Sequence, residues 1–338
     1  MPDSKRLLAA AAAAAGLAVT TLVAGAGAAT IAYTSQGPTS SHLWIMGGDG
    51  GDKERLTSGG VDDVSPSFAP GGQRLVFVRR RGDRSDDLYR IATDGEGLLR
   101  LTRTGLAEAN PVWAPRGGRI AHEAGLATGS LEIFVVRSDG SGRRRLTSNS
   151  VDDADPAWAA DGRRLAFVRY VDGRNADIHA VAFDGTGLDR LTSARAQDFD
   201  PTWSSTGRIA WIRSRASSSD LWMMRPDGSG KQRLARSNRQ LGSPAWSPNG
   251  AWIAFTVWDG EDGEVYAVRA DGSRLRRLTG NDVDDAGPIW SPGGAWIAFT
   301  RFTRGSNDVW IMRRNGSDKR RLTTARTHEA AGDWVADP

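Results

Sequence analysis

The sequence lacks several residue types on which common functional classes depend. It has no cysteine in 338 residues, which excludes a disulfide framework, a cysteine-ligated metal site and a lipid-modified cysteine anchor. It has only 4 histidines, too few to favour a metal centre built from several imidazoles. No G-x-S-x-G nucleophile elbow occurs in the sequence, which argues against serine hydrolase chemistry. These absences favour a protein that is not an enzyme.

Charge and long apolar runs are also limited. The formal net charge of +4 is too weak an excess to predict a nucleic-acid partner. A single long apolar run extends from Leu7 to Val23, after Lys5 and Arg6 and before small residues that end at Ala29. This order is typical of a secretory signal peptide, although the run is long enough for an uncleaved anchor helix. We predict a leader at 1–29 and an exported domain at 30–338, with no membrane span after cleavage.

Glycine and tryptophan are abundant, at 41 and 13 residues, and they recur at a fixed period. The aromatic residue of a P-x-W element repeats in steps of 43 to 45 residues, and so do a D-G or N-G turn and an R-L-T element. Three markers with one period define repeated structural units. The aromatic residues of the first marker are Phe68, Trp113, Trp158, Trp203, Trp246, Trp290 and Trp334.

Each unit is predicted to form four short strands. In the unit around Trp158, the sequence predicts strands at 157–159, 164–168, 177–181 and 190–192, separated by Asp-Gly turns. The chain begins inside a unit at Thr30, and its end supplies the missing first strand at 332–334. The fold predicted is therefore all-β: a monomeric seven-bladed β-propeller with four-stranded blades and a closing blade shared between the termini.

The best copies of the repeat resemble a known family. The sequence from Ser243 to Phe255 reads S-P-A-W-S-P-N-G-A-W-I-A-F, and Asp308 to Met312 reads D-V-W-I-M. This pattern closely resembles the TolB-like (WD-like) propeller family and covers nearly all of 30–338. The resemblance implies the fold but not one function, because the family includes envelope proteins that bind other proteins, peptidase propeller domains and uronate lyases.

A carboxylate stands three residues before the proline position in six of the seven units. We interpret it first as structural, bonding to backbone amides or to an arginine of a neighbouring blade. The alternative is an acidic ring that holds Ca²⁺ or Mg²⁺. No cofactor is otherwise expected. The metal candidates are Asp63, Asp153, Asp198 and Asp285.

Positions that differ between units are better candidates for function, since a structural role should repeat. Just before the proline position, Asp155 and Asp200 predict an acidic sector of the channel, flanked by Asn110. Beyond the second strand, Tyr170, Trp258 and Phe302 predict an aromatic surface, and Arg80 stands on the same rim. The alternatives are a turn preference for the Asp-Pro pairs and packing against neighbouring loops for the rings.

The remaining polar markers are interpreted as structural. His122 and His179 replace aromatic residues of the second and third strands, which indicates packing. The arginine of R-L-T lies on the outer strand in all seven units, where it is interpreted as edge protection and a source of solubility.

The sequence thus favours an exported, non-catalytic module that binds a protein in the cell envelope or outside the cell, with a carbohydrate as the second partner class. A carbohydrate-active or metal-dependent lyase that uses the channel mouth is the alternative, and a structural spacer is a third hypothesis.

Overall fold

The computed structural model describes residues 29–81, 85–172, 175–216, 218–258, 260, 262–324 and 327–336. These residues form 28 strands joined by turns, and none of them is helical. Accordingly, no long apolar helix that would cross a membrane occurs among them. The predicted signal peptide lies outside the described residues, apart from Ala29.

The strand bounds follow the predicted units. The first half of the chain contains β1 (Ala29–Gln36), β2 (Ser41–Gly47), β3 (Glu54–Arg55), β4 (Asp62–Phe68), β5 (Arg74–Arg80), β6 (Asp87–Ala92), β7 (Leu99–Arg100), β8 (Glu108–Trp113), β9 (Arg119–Gly125), β10 (Leu131–Arg137), β11 (Arg144–Arg145), β12 (Asp152–Trp158), β13 (Arg164–Asp172) and β14 (Asn175–Ala182). The second half contains β15 (Asp189–Arg190), β16 (Gln197–Trp203), β17 (Ile209–Arg215), β18 (Ser218–Met224), β19 (Gln232–Ser237), β20 (Gln240–Trp246), β21 (Trp252–Trp258), β22 (Gly263–Arg269), β23 (Arg276–Arg277), β24 (Asp284–Trp290), β25 (Trp296–Phe302), β26 (Asn307–Arg313), β27 (Arg320–Arg321) and β28 (His328–Ala336).

The strands pair in antiparallel four-stranded sets. Three sets are separate sheets, and four are joined in twos by single parallel pairings, Ala176 with Gln197 and Asn307 with His328. The first strand of a set begins earlier than the sequence predicts: β12 starts at Asp152 rather than at 157. The carboxylates that stand three residues before the proline position therefore lie inside the first strand, opposite the second.

Aromatic residues hold each set together and join it to the next. The rings of the second and third strands stack in pairs, with centroids 5.9 Å apart for Phe77 and Tyr89 and 6.0 Å apart for Trp211 and Trp222. The P-x-W tryptophans are buried, and the indole N–H of Trp158 donates to the Val112 carbonyl of the preceding first strand at 3.1 Å. Trp246 and Trp290 donate in the same way, whereas the buried indole N–H groups of Trp113, Trp203 and Trp334 have no partner among the described residues, so burial of a large ring is what all six tryptophans share at this position.

The two ends of the chain meet in one set. β28 pairs with β1 along its whole length, with Ile31 opposite Trp334. The Asp333 carboxylate accepts the N–H of Phe68 in β4 at 2.8 Å, so β28 also contacts the following set. First strands contact one another in the cyclic order β4, β8, β12, β16, β20, β24, β28 and back to β4. The second-to-third loops and the fourth-to-first links lie at one edge of the sets, which we call the loop face. The first-to-second and third-to-fourth turns lie at the opposite edge, which we call the turn face.

Candidate functional site

A left-handed residue interrupts the first strand of six sets. It stands just before the proline position, where φ ranges from 46° to 64° and the register with the second strand shifts. Asn and Asp adopt this conformation more readily than most side chains do, so part of the preference at Asn110, Asp155 and Asp200 is a backbone effect. The residues at this position are Ser65, Asn110, Asp155, Asp200, Ser243 and Gly287.

Asp155 and Asp200 nevertheless form an acidic sector, and a third carboxylate joins them. Glu123 in β9 accepts the Asn110 side-chain N–H at 2.9 Å and the Asp155 backbone N–H at 2.6 Å. Asp200 accepts the backbone N–H of Ser243 at 2.9 Å. We call Glu123, Asp155 and Asp200, with Asn110, the acidic cluster. Neighbouring sets thus contribute to one polar site.

The cluster is electrostatically unfavourable for the folded chain. Burial, and then the charges of Glu123 and Asp200, raise the pKa of Asp155 well above its ordinary value. Burial raises the pKa of Asp200 to about 6 and also raises the pKa of Glu123. Desolvation and like charge both disfavour the ionised form. A cationic group placed here would relieve both effects.

The sequence predicted Asp155, Asp200 and Asn110 but not Glu123. Glu123 directly follows the aromatic position of the second strand, where the other units carry an uncharged residue. Thr256 and Thr300 at the same position accept the equivalent backbone N–H groups, those of Gly287 and Ala331. A residue that breaks the repeat was therefore visible in the sequence. The residues at this position are Thr34, Val78, Glu123, Val168, Ile212, Thr256 and Thr300.

Two of the predicted aromatic residues lie beside the cluster. Tyr170 is 36% exposed, and its pKa is raised by burial and by the charges of Asp155 and Asp200. The Trp258 ring lies against Gly242 and Gly263, where a Cβ atom would stand 2.9 Å from the nearest ring atom. The Asp200 carboxylate also lies next to Gly242. Trp258 is thus held by packing, as the alternative hypothesis proposed, and is positioned next to Asp200.

Phe302 and Arg80 lie in other sets, at the ends of β25 and β5, opposite Asp284 and Asp62 respectively. Within the described part of the chain, no hydrogen bond or ion pair connects either of them to the acidic cluster. The structure thus brings five of the seven predicted partner-binding residues together and leaves these two apart.

The four metal candidates are engaged in buried ion pairs. Both oxygens of Asp63 accept from Arg79, at 2.7 and 2.8 Å, and Asp198 binds Arg213 with two bonds of 2.7 Å. Asp153 with Arg169 and Asp285 with Arg301 repeat this geometry. The arginine belongs to the second strand of the same set rather than to a neighbouring blade. Across the described residues, no group of three or more His, Asp or Glu side chains is arranged to hold a metal ion.

The set formed by β8 to β11 replaces this pair with a different arrangement. Glu108 stands at the aspartate position, and it meets Arg143 at 3.2 Å because β9 carries Ala124 in place of arginine. The Arg143 guanidinium stacks 3.8 Å from the centroid of Phe134, which in turn stacks on His122. Burial lowers the pKa of His122 to about 3, so this histidine packs as a neutral ring. His179 stacks on Phe167 in the same way.

The R-L-T arginine has a more specific role than edge protection. In the outer strand, Arg145 donates to the Thr147 carbonyl at 2.6 Å and to the Glu132 carboxylate of the third strand at 2.8 Å. Arg277 and Arg321 make equivalent bonds to Glu264 and Asp308. These arginines therefore tie the outer strand to its set, and much of their charge is neutralised.

Strand pairing and repeat length define the class of this protein: an all-β repeat protein of the β-propeller type. Residues 182–338 match the family model described as PD40: TolB beta propeller domain. This match confirms the resemblance to TolB-like propellers that the repeat motif predicts. No curated protein sequence matches the chain.

Solved structures share the fold. TolB from Acinetobacter baumannii is 20% identical over 78% of this chain and 66% of its own, with a TM-score of 0.59. An oligogalacturonate lyase in complex with manganese is 11% identical over 87% and 85%, with a TM-score of 0.65. A puromycin-hydrolyzing peptidase from Mycobacterium tuberculosis is 16% identical over 93% of this chain, with a TM-score of 0.71; the match spans 54% of the peptidase. Identities this low establish the fold alone.

Replacing Asp155 with asparagine is expected to stabilise the protein. The change removes a charge from the acidic cluster, and asparagine suits the left-handed backbone, as Asn110 shows at the equivalent position. The free energy of unfolding should rise by about 1 kcal/mol at pH 8. Raised carboxylate pKa values mean that wild-type stability falls as pH rises through about 6, the pKa of Asp200. The gain should therefore be smaller at pH 5.

Thermal unfolding of wild type and Asp155→Asn at pH 5 and pH 8 measures this difference. Asp184→Asn is the matched control, since Asp184 is exposed and its pKa is lowered by the Thr186 hydroxyl. A destabilised Asp155→Asn variant at pH 8 would contradict the repulsion that we assign to the cluster.

Proposed function

We propose that the chain is an exported, non-catalytic protein-binding module that holds a cationic segment of its partner at the acidic cluster. The observation that carries this proposal is the convergence of three carboxylates with raised pKa values beside Tyr170 and Trp258. A lysine or arginine side chain would receive both an ion pair and an aromatic face there.

The proposed scaffold is a single monomeric ring of seven blades over 30–338. Two features support it: the pairing of β28 with β1 and the cyclic contacts of the first strands. In such a ring the first strands surround the channel, so the acidic cluster belongs to the channel lining and Tyr170 to its rim on the loop face. Export is inferred from the predicted leader at 1–29, and it places the module in the periplasm, the cell envelope or the extracellular space.

The lyase alternative has less support. The similarity to oligogalacturonate lyase is one of fold at 11% identity, and the metal candidates have their oxygens bound by arginine. The carboxylates of the acidic cluster converge, but neither they nor any other group of His, Asp or Glu side chains among the described residues is arranged to hold a metal ion. A carbohydrate ligand therefore becomes an outcome of the binding experiment rather than a second proposal.

The test is affinity capture from envelope extracts with the tagged chain. Asp155→Asn combined with Asp200→Asn keeps the shape and backbone preference of the cluster while removing its charge, and Tyr170→Ala removes the ring. We expect both variants to lose the proteins that wild type captures. Proteins bound to wild type should elute as the salt concentration increases. Asp161→Asn combined with Asp184→Asn, two exposed positions on the turn face, is the charge-matched control.

Retention of every captured protein by both variants would overturn the assignment of the site. Binding of a neutral oligosaccharide by wild type, with no protein captured, would overturn the protein-binding function and favour the carbohydrate alternative.

A further inference from the structure

A cavity lies on the turn face, away from the acidic cluster. Its volume is about 730 Å³, within the usual size of small-molecule sites. It is bounded by the end of β22, the start of β23, the turn between β24 and β25 and the end of β26, so two adjacent sets form its walls. Its side-chain lining is dominated by Trp252, Arg269, Arg274, Arg276, Arg313 and Arg314.

Stacking holds two of these arginines in place. The Arg276 guanidinium lies 4.6 Å from the centroid of Trp252, and Arg313 lies 4.7 Å from that of Trp296. A guanidinium fixed on an indole keeps its N–H groups at the edge of the stack, where they can bind an anion with two parallel bonds. Two donors at the cavity, those of Arg276 and Arg313, thus lose little freedom when a ligand binds.

The positive charge of the cavity is only partly neutralised. Asp318 binds Arg313 at 2.5 Å, and Asp271 approaches Arg269 at 3.7 Å. Among the residues that the structure describes, no ion pair joins a carboxylate to Arg274, Arg276 or Arg314. Their charge is concentrated in two neighbouring sets, unlike the R-L-T arginines, which are spread evenly over seven units.

Arg274 stands where the hairpin favours glycine. Its φ is +56°, a conformation that L-residues with a Cβ seldom adopt. The residue three positions after the aspartate or asparagine of the turn has a positive φ in every unit. This position carries Asp52, Gly97, Gly142, Gly187, Gly230, Arg274 and Asp318. The turn itself gains nothing from arginine, so its side chain indicates a function in the cavity.

We propose that this cavity binds a small polyanion with at least two phosphate or carboxylate groups. Arg274 and Arg276 approach from one wall and Arg314 from the other, so one anionic group contacts each wall. The site is independent of the proposed partner-binding function, because it lies on the opposite face and takes a ligand of opposite charge.

The test is calorimetric titration of the full chain with tripolyphosphate and with citrate, which separate phosphate from carboxylate recognition. Arg274→Gly should weaken binding of the preferred probe at least tenfold, while its melting temperature equals or exceeds that of wild type because glycine relieves the left-handed strain. If Arg274 were only structural, its replacement would not weaken binding while leaving the melting temperature unchanged or higher. Arg314→Gln, on the other wall, should also weaken binding.

Arg144→Ala is the control for the loss of one arginine charge on the turn face, since Arg144 occupies the position of Arg276 in another unit and does not line the cavity, and it should leave affinity unchanged. Equal loss of affinity in Arg144→Ala would show diffuse surface attraction and overturn the proposal. Wild-type affinity in both Arg274→Gly and Arg314→Gln, or no binding of either probe by wild type at low salt, would also overturn it.

Discussion

Replacing Asp198 with leucine is expected to lower the free energy of unfolding by about 3–5 kcal/mol, the usual cost of leaving one member of a buried ion pair uncompensated. Asp198 is fully buried and binds Arg213 with two bonds of 2.7 Å, and the arginine side chain is only 9% exposed. Without the carboxylate, the guanidinium would remain in the sheet, over the Trp211 and Trp222 rings.

The double variant Asp198→Leu with Arg213→Val should recover most of this loss. The chain itself supplies the precedent, because Leu241 and Val257 face each other at the same positions of β20 and β21. Well-packed apolar residues often replace a buried ion pair at little or no cost. Chemical denaturation of wild type, both single variants and the double variant gives the coupling energy between the two positions.

Asp189→Asn is the control for this cycle, since Asp189 pairs with Arg164 on the surface. It should cost less than about 1 kcal/mol. If the loss in the double variant equalled the sum of the losses in Asp198→Leu and Arg213→Val, the coupling between the two positions would be absent and the pair would not explain the repeated aspartate.

This pair also shows what the sequence can and cannot predict. The repeat predicted the aspartate series and named an arginine of a neighbouring blade as one partner. The true partner stands 15 or 16 residues along the same unit, and the strand register that brings it opposite becomes visible only in the structure. Where the second strand lacks arginine, the first strand carries Glu108, Leu241 or Glu329 rather than aspartate. Comparing units with one another would have revealed this covariation.

Backbone conformation accounts for most of the other differences. The left-handed conformation before the proline position gives Asp155 and Asp200 a structural reason to recur. No periodic pattern in the sequence predicts this conformation. The sequence does not predict Arg274 as a functional residue for the same reason, since only its positive φ distinguishes it from other arginines near hairpins. Glu123 could have been predicted without backbone information, because it is the one charged residue at its position of the repeat. Residues that break the repeat at a cost to the folded state, such as Asp155 and Arg274, are therefore the stronger candidates for function.

The joining of the two ends gives the other large expected effect. Deleting residues 328–338 removes β28, which pairs with β1 along its length and supplies Asp333 as the acceptor for the Phe68 N–H. The deletion exposes the edge of β1 and uncovers the buried residues Ile31 and Tyr33. Unpaired edges with apolar faces associate with other chains, so we expect aggregates in light scattering after size-exclusion chromatography, and loss of a cooperative thermal transition.

A point substitution separates closure from simple loss of residues. Gly332 replaces the proline of the repeat, and a Cβ atom there would stand 2.6 Å from the Pro66 ring. Gly332→Ala should therefore push β28 away from β4 and cost about 1–3 kcal/mol, as overpacking usually does, whereas Gly305→Ala meets no atom within 4 Å and should have little effect. If the deletion remained monomeric with an unchanged melting temperature, terminal pairing would not be what closes the fold. Because one strand from each end completes the same set, we expect both ends of the wild-type chain to melt together with the whole domain.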